Sequence, residues 1–414
     1  MSKKLIKAMA VAAIAMIPVQ SFAQTKIEWL QWFAAEAGAD TYNSLVSEFE
    51  AANPDIKIEL VNQPFGKVRE SIVTDHAIGI SADVLGLNMP WTKEFLDIGI
   101  LAPLDDYLGK ADNGFSKDQL VQAPIGEIDG HTWMVPLTAF PFVLHTNMTL
   151  VKEAGFEHPP TNWDELKEYA TAISKLGDGI SGIGLPFSSQ PPANGPILTL
   201  LPLLYAHGGH SMNGTTPDFD NPAVVETLQL LNDLNASGAA APGAASRTGG
   251  VDVEEFVAGR TGFLISPAAH SANVRERGAD FEYAMTRVPG DVNAYRVHGF
   301  ELGISANSKH KDEAWKFISF LLGKQANAKV AHASASLPGN LEALADFNTD
   351  GDEVLAKQMD ILSNDTPVEE LRQAPKATAS WSIMTEEIQA MLAGNQTPEA
   401  TAAAVQARWL ELIK

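Results

Sequence analysis

The sequence lacks cysteine, has few basic residues, and contains no long hydrophobic run after its first 23 residues. Without cysteine, the chain has no disulfides, thiolate metal sites, cysteine nucleophiles or N-terminal cysteine for a lipid anchor. Only 29 Lys and Arg stand against 51 Asp and Glu, which gives a formal net charge of −22. Non-specific nucleic-acid binding needs a positive surface. We therefore expect no nucleic-acid partner.

The first 23 residues have the organisation of a signal peptide. Three lysines within residues 3–7 precede an apolar stretch at 8–17, and Ser21-Phe22-Ala23 follows as a small-x-small cleavage site. The apolar stretch is too short to cross a bilayer, which takes ~20 residues. We predict cleavage after Ala23 and export of a soluble chain into a periplasm.

The rest of the chain alternates between strand and helix patterns. Residues 27–30, 56–60 and 83–87 read as strands, and apolar residues three and four apart predict a helix over 41–51. A strand, a helix and a strand within about 35 residues form a βαβ unit, which favours a parallel sheet. A chain of 414 residues also exceeds the ~250–300 residues of a single core. We expect an α/β fold with more than one lobe.

The middle and C-terminal parts continue this alternation. Strands are predicted at 142–144, 263–265 and 300–304, and a Gly/Ala/Ser-rich loop at 237–250. Helices are predicted after Thr161, which we expect to be the N-cap, from Pro222 onward, over 312–322, and through most of the tail from residue 368.

Signatures of catalysis are missing from this pattern. The sequence contains no H-E-x-x-H, no G-x-S-x-G and no G-x-x-x-x-G-K-[ST]. Each of these motifs brings metal ligands, a nucleophile or a phosphate cradle to one place. We therefore predict that the protein is not an enzyme and has no cofactor.

One acidic segment partly matches a calcium loop. Asp346, Asn348, Asp350 and Asp352 stand at ligand positions 1, 3, 5 and 7, but Lys357 occupies position 12, where a bidentate Glu is required. We interpret the segment as an Asx-rich turn and predict no bound metal, with these four residues as the only weak metal candidates.

Six segments, in order along the chain, carry a family pattern. They read EFEAANPDI (48–56), SADV (81–84), GHTWMVP (130–136), AGFEHPPTNWDEL (154–166), FVAGR (256–260) and AWKFI (314–318). In sequence and order they resemble motifs of the family 1 extracellular solute-binding proteins of ABC importers, the group around maltose-binding protein. Asn162 is inserted, and Ala82 replaces the usual proline.

This resemblance implies a periplasmic binding protein-like fold of type II, with two doubly wound α/β lobes joined by a hinge and a ligand cleft between them. Lobe one is expected to comprise residues 24–139 and 287–332, and lobe two residues 140–286 and 333–414. The resemblance also implies capture of a carbohydrate and its delivery to the permease subunits of an ABC transporter. Because the protein must close and dock, we expect a monomer.

Ligands of open α/β sheets bind beyond the carboxyl ends of strands. Polar and aromatic side chains at these ends and at the crossings between lobes suit the hydroxyl groups and C–H faces of a sugar. Together with positions taken from the resemblance, this gives the predicted ligand-binding residues: Gln31, Trp32, Asn88, Trp91, Thr138, Phe140, Tyr205, Ser266, His270, Gly299, Phe300, Arg372 and Trp381.

Other ligands and one other function remain open at this point. A cleft-facing Arg372 would favour an anionic sugar derivative or a polyol ester, such as a glycerol phosphate ester or a sulfonated glycoside. Several acids in the cleft would favour a polyamine. Two carboxylates 5–10 Å apart across the cleft would favour an exported glycoside hydrolase.

Overall fold

The computed structural model describes residues 24–36, 38–109, 115–278 and 280–414, without the side chains of residues 36 and 276. The predicted signal peptide, residues 1–23, lies outside the described residues. Within them, no helix is both long enough and apolar enough to cross a bilayer.

The strands of the described part of the chain are β1 (Thr25–Gln31), β2 (Ile56–Asn62), β3 (Val84–Leu87), β4 (Gly126–Ile128), β5 (His131–Pro136), β6 (Thr138–Asn147), β7 (Ser181–Ile183), β8 (Met212–Asn213), β9 (Thr216–Pro217), β10 (Thr261–Pro267), β11 (Tyr283–Thr286), β12 (Ala294–His298), β13 (Glu301–Ile304), β14 (Leu337–Pro338) and β15 (Thr366–Val368).

The helices are α1 (Phe33–Glu36), α2 (Ala39–Ala52), α3 (Phe65–Ile78), α4 (Thr92–Asp97), α5 (Asp105–Leu108), α6 (Met148–Glu153), α7 (Trp163–Ile173), α8 (Leu201–Ala206), α9 (Pro222–Ala236), α10 (Gly249–Val257), α11 (Ser271–Glu276), α12 (Lys311–Leu322), α13 (Lys324–Ala333), α14 (Leu341–Ala345), α15 (Glu353–Asn364), α16 (Ala377–Leu392) and α17 (Pro398–Leu412). Short 3-10 turns lie at Met89–Trp91, Lys117–Gln119, Ala244–Ser246, Ala268–His270 and Glu370–Gln373, and a π-helical turn at Pro196–Leu200.

The first sheet has the order β2-β1-β3-β13-β5-β4. β1 pairs with β2 and with β3 in parallel, as the βαβ pattern predicted, and β13 joins antiparallel to β3 and to β5. The apolar face of α2 meets this sheet and α12 through a cluster of rings: Phe317 lies 5.2 Å from Trp29 and 5.0 Å from Phe49, centroid to centroid. Burial of these rings fixes the helices on the sheet.

The second sheet is organised around β6, a ten-residue strand that is buried throughout. Its order is β15-β12-β6-β10-β7, and β11 and β14 also pair with β6. All four partners of β6 run antiparallel to it. Pro141 and the polar residues from His145 onward interrupt the apolar run of this strand, so only residues 142–144 were predicted as strand here.

The strand pairing bears on one expected boundary. We expected residues 287–332 to belong to lobe one, and within this range β12 pairs with β6 and β15 of the second sheet. The segment before β12 is held there by Arg287, which donates to the Asp365 carboxylate at 2.7 Å and to Asp360 at 3.0 Å. The residue bounds of the two lobes stay a prediction.

Two local expectations also need correction. The N-cap of α7 is Asn162, whose Oδ1 accepts from the Glu165 backbone N–H at 2.9 Å, and not Thr161. The backbone N–H of Thr161 instead donates to the Glu165 carboxylate at 2.7 Å, so the capping pair is shifted by one residue. The predicted loop 237–250 contains a 3-10 turn and the first two residues of α10.

Candidate ligand cavity between the two sheets

The two sheets are connected where β5 runs into β6 and β12 runs into β13. Leu137 is the single residue between the first pair of strands, and Gly299 and Phe300 separate the second pair. These crossings lie side by side: the Leu137 N–H donates to the Phe300 carbonyl at 2.7 Å, and the Phe300 N–H donates to Thr138 Oγ1 at 3.0 Å. A Cβ on Gly299 would lie 2.1 Å from the Thr138 carbonyl oxygen, so only glycine permits this approach.

A cavity of about 760 Å³ opens beside these crossings. Volumes of 300–1,000 Å³ are typical of small-molecule sites. Residues of both sheets and their helices line it: Trp32, Ala35, Pro64, Phe65, Gly66, Lys67, Glu70, Asn88, Phe140, Phe142, Pro191, Pro192, Asn194, Ile197, Leu198, Thr248, Gly249, Gly250, Val253, Glu254, Pro267, Ala269, His270, Asn273, Arg277, His298, Phe300 and Ser334.

The wall on the first-sheet side is aromatic. Trp32 follows β1, and its ring lies 5.1 Å from Phe65, the first residue of α3, and 6.3 Å from Phe300. Behind this wall, Trp91 stacks on Phe65 with centroids 5.5 Å apart and planes 12° from parallel. Trp91 therefore fixes the ring that faces the cavity. We call Trp32, Phe65 and Phe300 the aromatic wall.

At the base of the cavity, β6 presents rings from alternate residues. Phe140 and Phe142 lie on the same face of the strand because side chains alternate with a period of two. His298 of β12 stacks on Phe140 with centroids 5.4 Å apart and planes 3° from parallel. Phe142 also receives the buried Arg296 guanidinium, whose central carbon lies 4.6 Å from the ring centroid.

Asn88 is the buried amide of the cavity. It follows β3, the residue belongs to the cavity lining, and it is only 2% exposed. Its Oδ1 accepts no hydrogen bond from any described residue. A buried amide oxygen without a partner is costly, so it has a hydrogen bond to offer to whatever fills the cavity.

The two histidines of the cavity are held neutral by burial. Burial lowers the pKa of His298 to about 3, and nearby Arg296 adds to this effect. Burial likewise lowers the pKa of His270 to about 4. Near neutral pH, both rings can donate and accept hydrogen bonds without adding charge to the cavity.

Among the side chains that the structure describes, the charged ones that line the cavity lie at its exposed rim. Lys67 and Glu70 lie on α3, while Glu254 of α10 pairs with Arg277 at 2.6 Å on the opposite side. The hydrogen bond from Arg277 lowers the pKa of Glu254 below its usual value. Glu254 is therefore held as a carboxylate.

Behind the base, a group of ionisable side chains is fully enclosed. Arg296 and Glu369 form an ion pair at 2.8 Å, with side chains 0% and 1% exposed. Glu301 is also buried, and its carboxyl oxygens have no hydrogen-bond partner among the described residues. Burial, reinforced by the nearby Glu369, raises the pKa of Glu301 well above its usual value. The surroundings of Glu301 therefore favour its uncharged form.

Five residues that line the second-sheet side of the cavity are aliphatic. Ile197 and Leu198 come from the π-helical turn, Val253 from α10, and Pro191 and Pro192 from the preceding loop. We call these five residues the aliphatic wall. None of their side chains carries a hydrogen-bonding atom.

Five of the thirteen predicted ligand residues line this cavity, namely Trp32, Asn88, Phe140, His270 and Phe300. The other eight do not: Gln31, Trp91, Thr138, Tyr205, Ser266, Gly299, Arg372 and Trp381. The cavity brings together side chains from both sheets, as the strand-end argument expected. That each of these residues contacts a ligand stays a prediction.

The residues that lie off the lining have structural partners or core positions. Gln31 Oε1 accepts from the Ala34 N–H at 2.9 Å, and Thr138 joins the crossings as described above. The Tyr205 hydroxyl donates to Glu370 at 3.4 Å. Arg372, on which an anionic ligand would depend, donates instead to the Ala123 carbonyl. Trp381 and Ser266 are buried, at 1% and 2% exposed.

Sequence reasoning missed most of the second-sheet side of the cavity. Phe142 and His298 carried a usable signal, since each stands two residues from a predicted contact on an extended segment. Phe65, Leu198 and Val253 carried none, because residues of this kind in helices are usually core. These three residues are identified as cavity residues only by the tertiary structure, in which separate helices pack around one cavity.

The four weak metal candidates have other roles in the fold. Asp352 caps α15 and pairs with Arg275 at 2.6 Å, and Asp346 pairs with Lys324 at 2.5 Å. Asn348 Oδ1 accepts from the Asp350 N–H at 2.7 Å, which is the Asx turn that was predicted. Among the described residues, no group of three or more His, Asp or Glu side chains is arranged to hold a metal ion.

The chain is similar in sequence to a known protein family and to proteins of that kind. The family profile described as bacterial extracellular solute-binding protein matches residues 35–328. A putative binding protein of Brucella abortus (strain 2308) is 28% identical over 316 residues, which cover 74% of this chain and 75% of that protein.

Two solved structures superpose on nearly the whole chain. The GacH receptor of Streptomyces glaucescens GLA.O, solved unliganded and in complex with acarbose, gives a TM-score of 0.80 at 21% identity and covers 94% of this chain and 98% of its own. An ABC transporter solute-binding protein of Thermotoga lettingae TMO, bound with α-D-tagatose, gives 0.84 at 20% identity and covers 94% and 100%. These superpositions confirm the predicted type II fold.

Proposed function

Because the chain belongs to the family of bacterial extracellular solute-binding proteins, we propose that it captures an uncharged carbohydrate in the cavity between its two sheets and delivers it unmodified to the permease of an ABC importer. The carbohydrate is a mono- or oligosaccharide or a glycoside. The two lobes close on it by a hinge at the crossings around Leu137 and Gly299–Phe300.

The observation that carries this proposal is the amide of Asn88. It is buried and belongs to the same cavity lining as the aromatic wall, and its oxygen has no partner among the described residues. A sugar hydroxyl supplies the missing donor, while the C–H face of the same ring lies against an aromatic side chain. Few other small molecules present both surfaces at once.

The electrostatics of the cavity support an uncharged ligand. Its buried polar groups are neutral, because Asn88 carries no charge and burial keeps His298 unprotonated. The cations of the rim are exposed, as with Lys67, or already paired, as with Arg277. An anionic sugar derivative would therefore lose its hydration without gaining a buried cation.

The same groups argue against hydrolysis as the activity. Among the described side chains, Glu70 and Glu254 are the carboxylates of the rim, and a glycosidase needs one carboxylic acid with a raised pKa. Arg277 instead lowers the pKa of Glu254. The proposed role is binding and release without catalysis, in keeping with a family of receptors.

The proposal includes location and partners. The segment of residues 1–23 is removed as a signal peptide after Ala23, and the mature chain acts as a periplasmic monomer. Both binding and docking require that the lobes move relative to each other. A monomer leaves both lobes free to do so.

The test is a thermal-shift screen of the mature chain against neutral sugars, oligosaccharides and glycosides, with polyols, glycerol phosphate esters and sulfonated glycosides as comparison ligands. A ligand present at 100 times its Kd stabilises the folded state by about 2.7 kcal/mol. The expected result is stabilisation by a neutral sugar, which is recovered chemically unchanged. No stabilisation by any sugar, or recovery of a cleaved sugar, would refute the proposal.

Asn88→Leu sharpens this test. Because the substitution removes a buried polar group that lacks a partner, the unliganded protein should be as stable as the wild type or more so. The sugar-dependent shift should nevertheless disappear. Asn395→Ala, in the exposed turn between α16 and α17, is the control and should keep the full shift.

A further inference from the structure

The two walls of the cavity differ in what they can bind. The aromatic wall and Asn88 line the same cavity, so a sugar ring bound there has both an apolar face and a hydrogen-bond acceptor available. The side chains of the aliphatic wall, from Leu198, Ile197, Val253 and the two prolines, offer only carbon atoms. This difference bears on which part of a solute each wall accepts.

Leu198 is a buried side chain that lines the cavity. It is 8% exposed, yet it belongs to none of the hydrophobic core clusters of the described residues, unlike its neighbour Ile197. The buried Phe142 at the base of the cavity likewise belongs to none of these hydrophobic core clusters. Two large apolar side chains thus contribute surface to the cavity.

The start of α10 is built to admit Leu198. A Cβ on Gly249 would lie 2.6 Å from Leu198 Cδ1, so the glycine leaves the space that the leucine methyl group occupies. The next residue, Gly250, is different, since a Cβ there would meet nothing closer than Thr248 Oγ1 at 3.9 Å. The position of Leu198 therefore depends on one of the two adjacent glycines.

A second sugar ring would fit poorly against the aliphatic wall. Its hydroxyl groups would lose their hydrogen bonds to water and gain none from these side chains. Asn194 and Thr248 border the wall, but Thr248 Oγ1 already accepts from the Val251 N–H at 3.4 Å. An alkyl or aryl group, by contrast, gains from leaving water and costs no hydrogen bonds.

We propose that the aliphatic wall is a subsite for an apolar aglycone, and that the solute is an uncharged glycoside carrying an alkyl or aryl substituent. The sugar ring occupies the end near Asn88 and the aromatic wall, and the substituent lies against Leu198 and Val253. This inference rests on the proposed carbohydrate-binding function and names the class of carbohydrate.

The experiment compares the methyl and hexyl glycosides of the sugar that gives the largest thermal shift in the screen, by titration calorimetry of the mature protein. Each buried methylene is expected to tighten binding about fourfold, which corresponds to about 0.8 kcal/mol. With part of the chain buried, the hexyl glycoside should bind at least tenfold more tightly than the methyl glycoside. Its binding should also show a more negative heat-capacity change.

Two variants locate the effect. Leu198→Asn and Val253→Ser should each reduce the ratio of methyl to hexyl Kd to less than threefold, and the ratio is informative even if overall affinity changes. Val251→Ser is the matched control for Val253→Ser. Val251 lies on α10 like Val253, but it is 43% exposed and does not line the cavity. It should leave the ratio unchanged.

Each result is decisive. A ratio near one in the wild type, or a ratio that neither Leu198→Asn nor Val253→Ser alters, overturns the aglycone subsite while sugar binding stands. Failure of every sugar to bind would instead overturn the proposed function on which the subsite rests.

Discussion

The two sheets differ in how their strands come together, and the difference explains where their charges lie. β1, β2 and β3 of the first sheet fall within residues 25–87 and pair in parallel through helical crossovers. β6 of the second sheet recruits β10, β11, β12 and β14 from more than 100 residues further along the chain. Because the second sheet is formed by segments far apart in the chain, it encloses charged side chains. The unit formed by β1, β2 and β3 leaves such side chains at its surface.

Ion pairs and histidines show this contrast. Lys57 and Glu50 of the first-sheet unit pair at 2.7 Å with the lysine 56% exposed, whereas Arg296 and Glu369 of the second sheet are enclosed. His145 and His298, both in strands of the second sheet, are also buried. We therefore expect the second sheet to depend more on its polar partners and on pH.

The largest expected effect comes from breaking the enclosed ion pair. Arg296→Met leaves the Glu369 carboxylate buried without its partner, which should lower the free energy of unfolding by about 3–5 kcal/mol in urea denaturation. Lys57→Met, the exposed counterpart, should cost no more than about 1 kcal/mol. Equal losses for the two variants would remove the contrast between the sheets. The double variant Arg296→Met/Glu369→Leu should recover most of the lost stability.

Acidification should act next most strongly. Burial lowers the pKa of His145 to about 3, as it does for His298. Below the ordinary pKa of 6.5, the unfolded chain takes up protons that the folded chain does not, so stability is lost as pH falls from 6.5 towards 3. Each histidine adds about 1.4 kcal/mol per pH unit to the slope.

The measurement for this prediction is the free energy of unfolding at pH 7.5, 6.5, 5.5 and 5.0. His145→Gln should reduce the slope below pH 6.5 by the contribution of one proton, whatever its effect on stability at pH 7.5. A variant slope identical to that of the wild type would show that His145 is not held neutral in the fold.

The walls of the cavity give the next contrast. Phe65→Ala removes part of the aromatic wall, and it should weaken every sugar about tenfold while leaving the ratio of methyl to hexyl Kd unchanged. Phe320→Ala is the control, since Phe320 is also half-buried but packs against Phe49 at 5.5 Å, away from the cavity. If Phe65→Ala changed the ratio, the two walls would not act separately.

The smallest expected effect is at the start of α10. Gly249→Ala should displace the Leu198 methyl group and lower the same ratio two- to threefold, with stability changed by less than about 1 kcal/mol because a flexible side-chain end can move. Gly250→Ala has open space for its methyl group and should leave the ratio as it is. Identical ratios in the two variants would contradict the role assigned to Gly249.

Sequence patterns were sufficient for much of the fold and for part of the site. The helix at Ala39–Ala52 and the strands on either side of it follow from apolar spacing, because a local period shows which face is buried. Trp32 and Asn88 were predicted at the cavity because they come directly after strands. Trp91 was predicted as a ligand contact but lies behind Phe65, since spacing does not tell which of two neighbouring aromatic residues faces the cavity.

The sequence by itself determined the alternation of strands and helices, the parallel start of the first sheet and the ordered motifs of the solute-binding family. These depend on local periodicity and on short segments of fixed residue type. Only the tertiary structure decided that β12 joins β6, that Arg372 turns away from the cavity, and that Leu198 faces it. Each of these depends on contacts between segments far apart in the chain, where burial and pairing depend on the final packing and not on neighbouring residues.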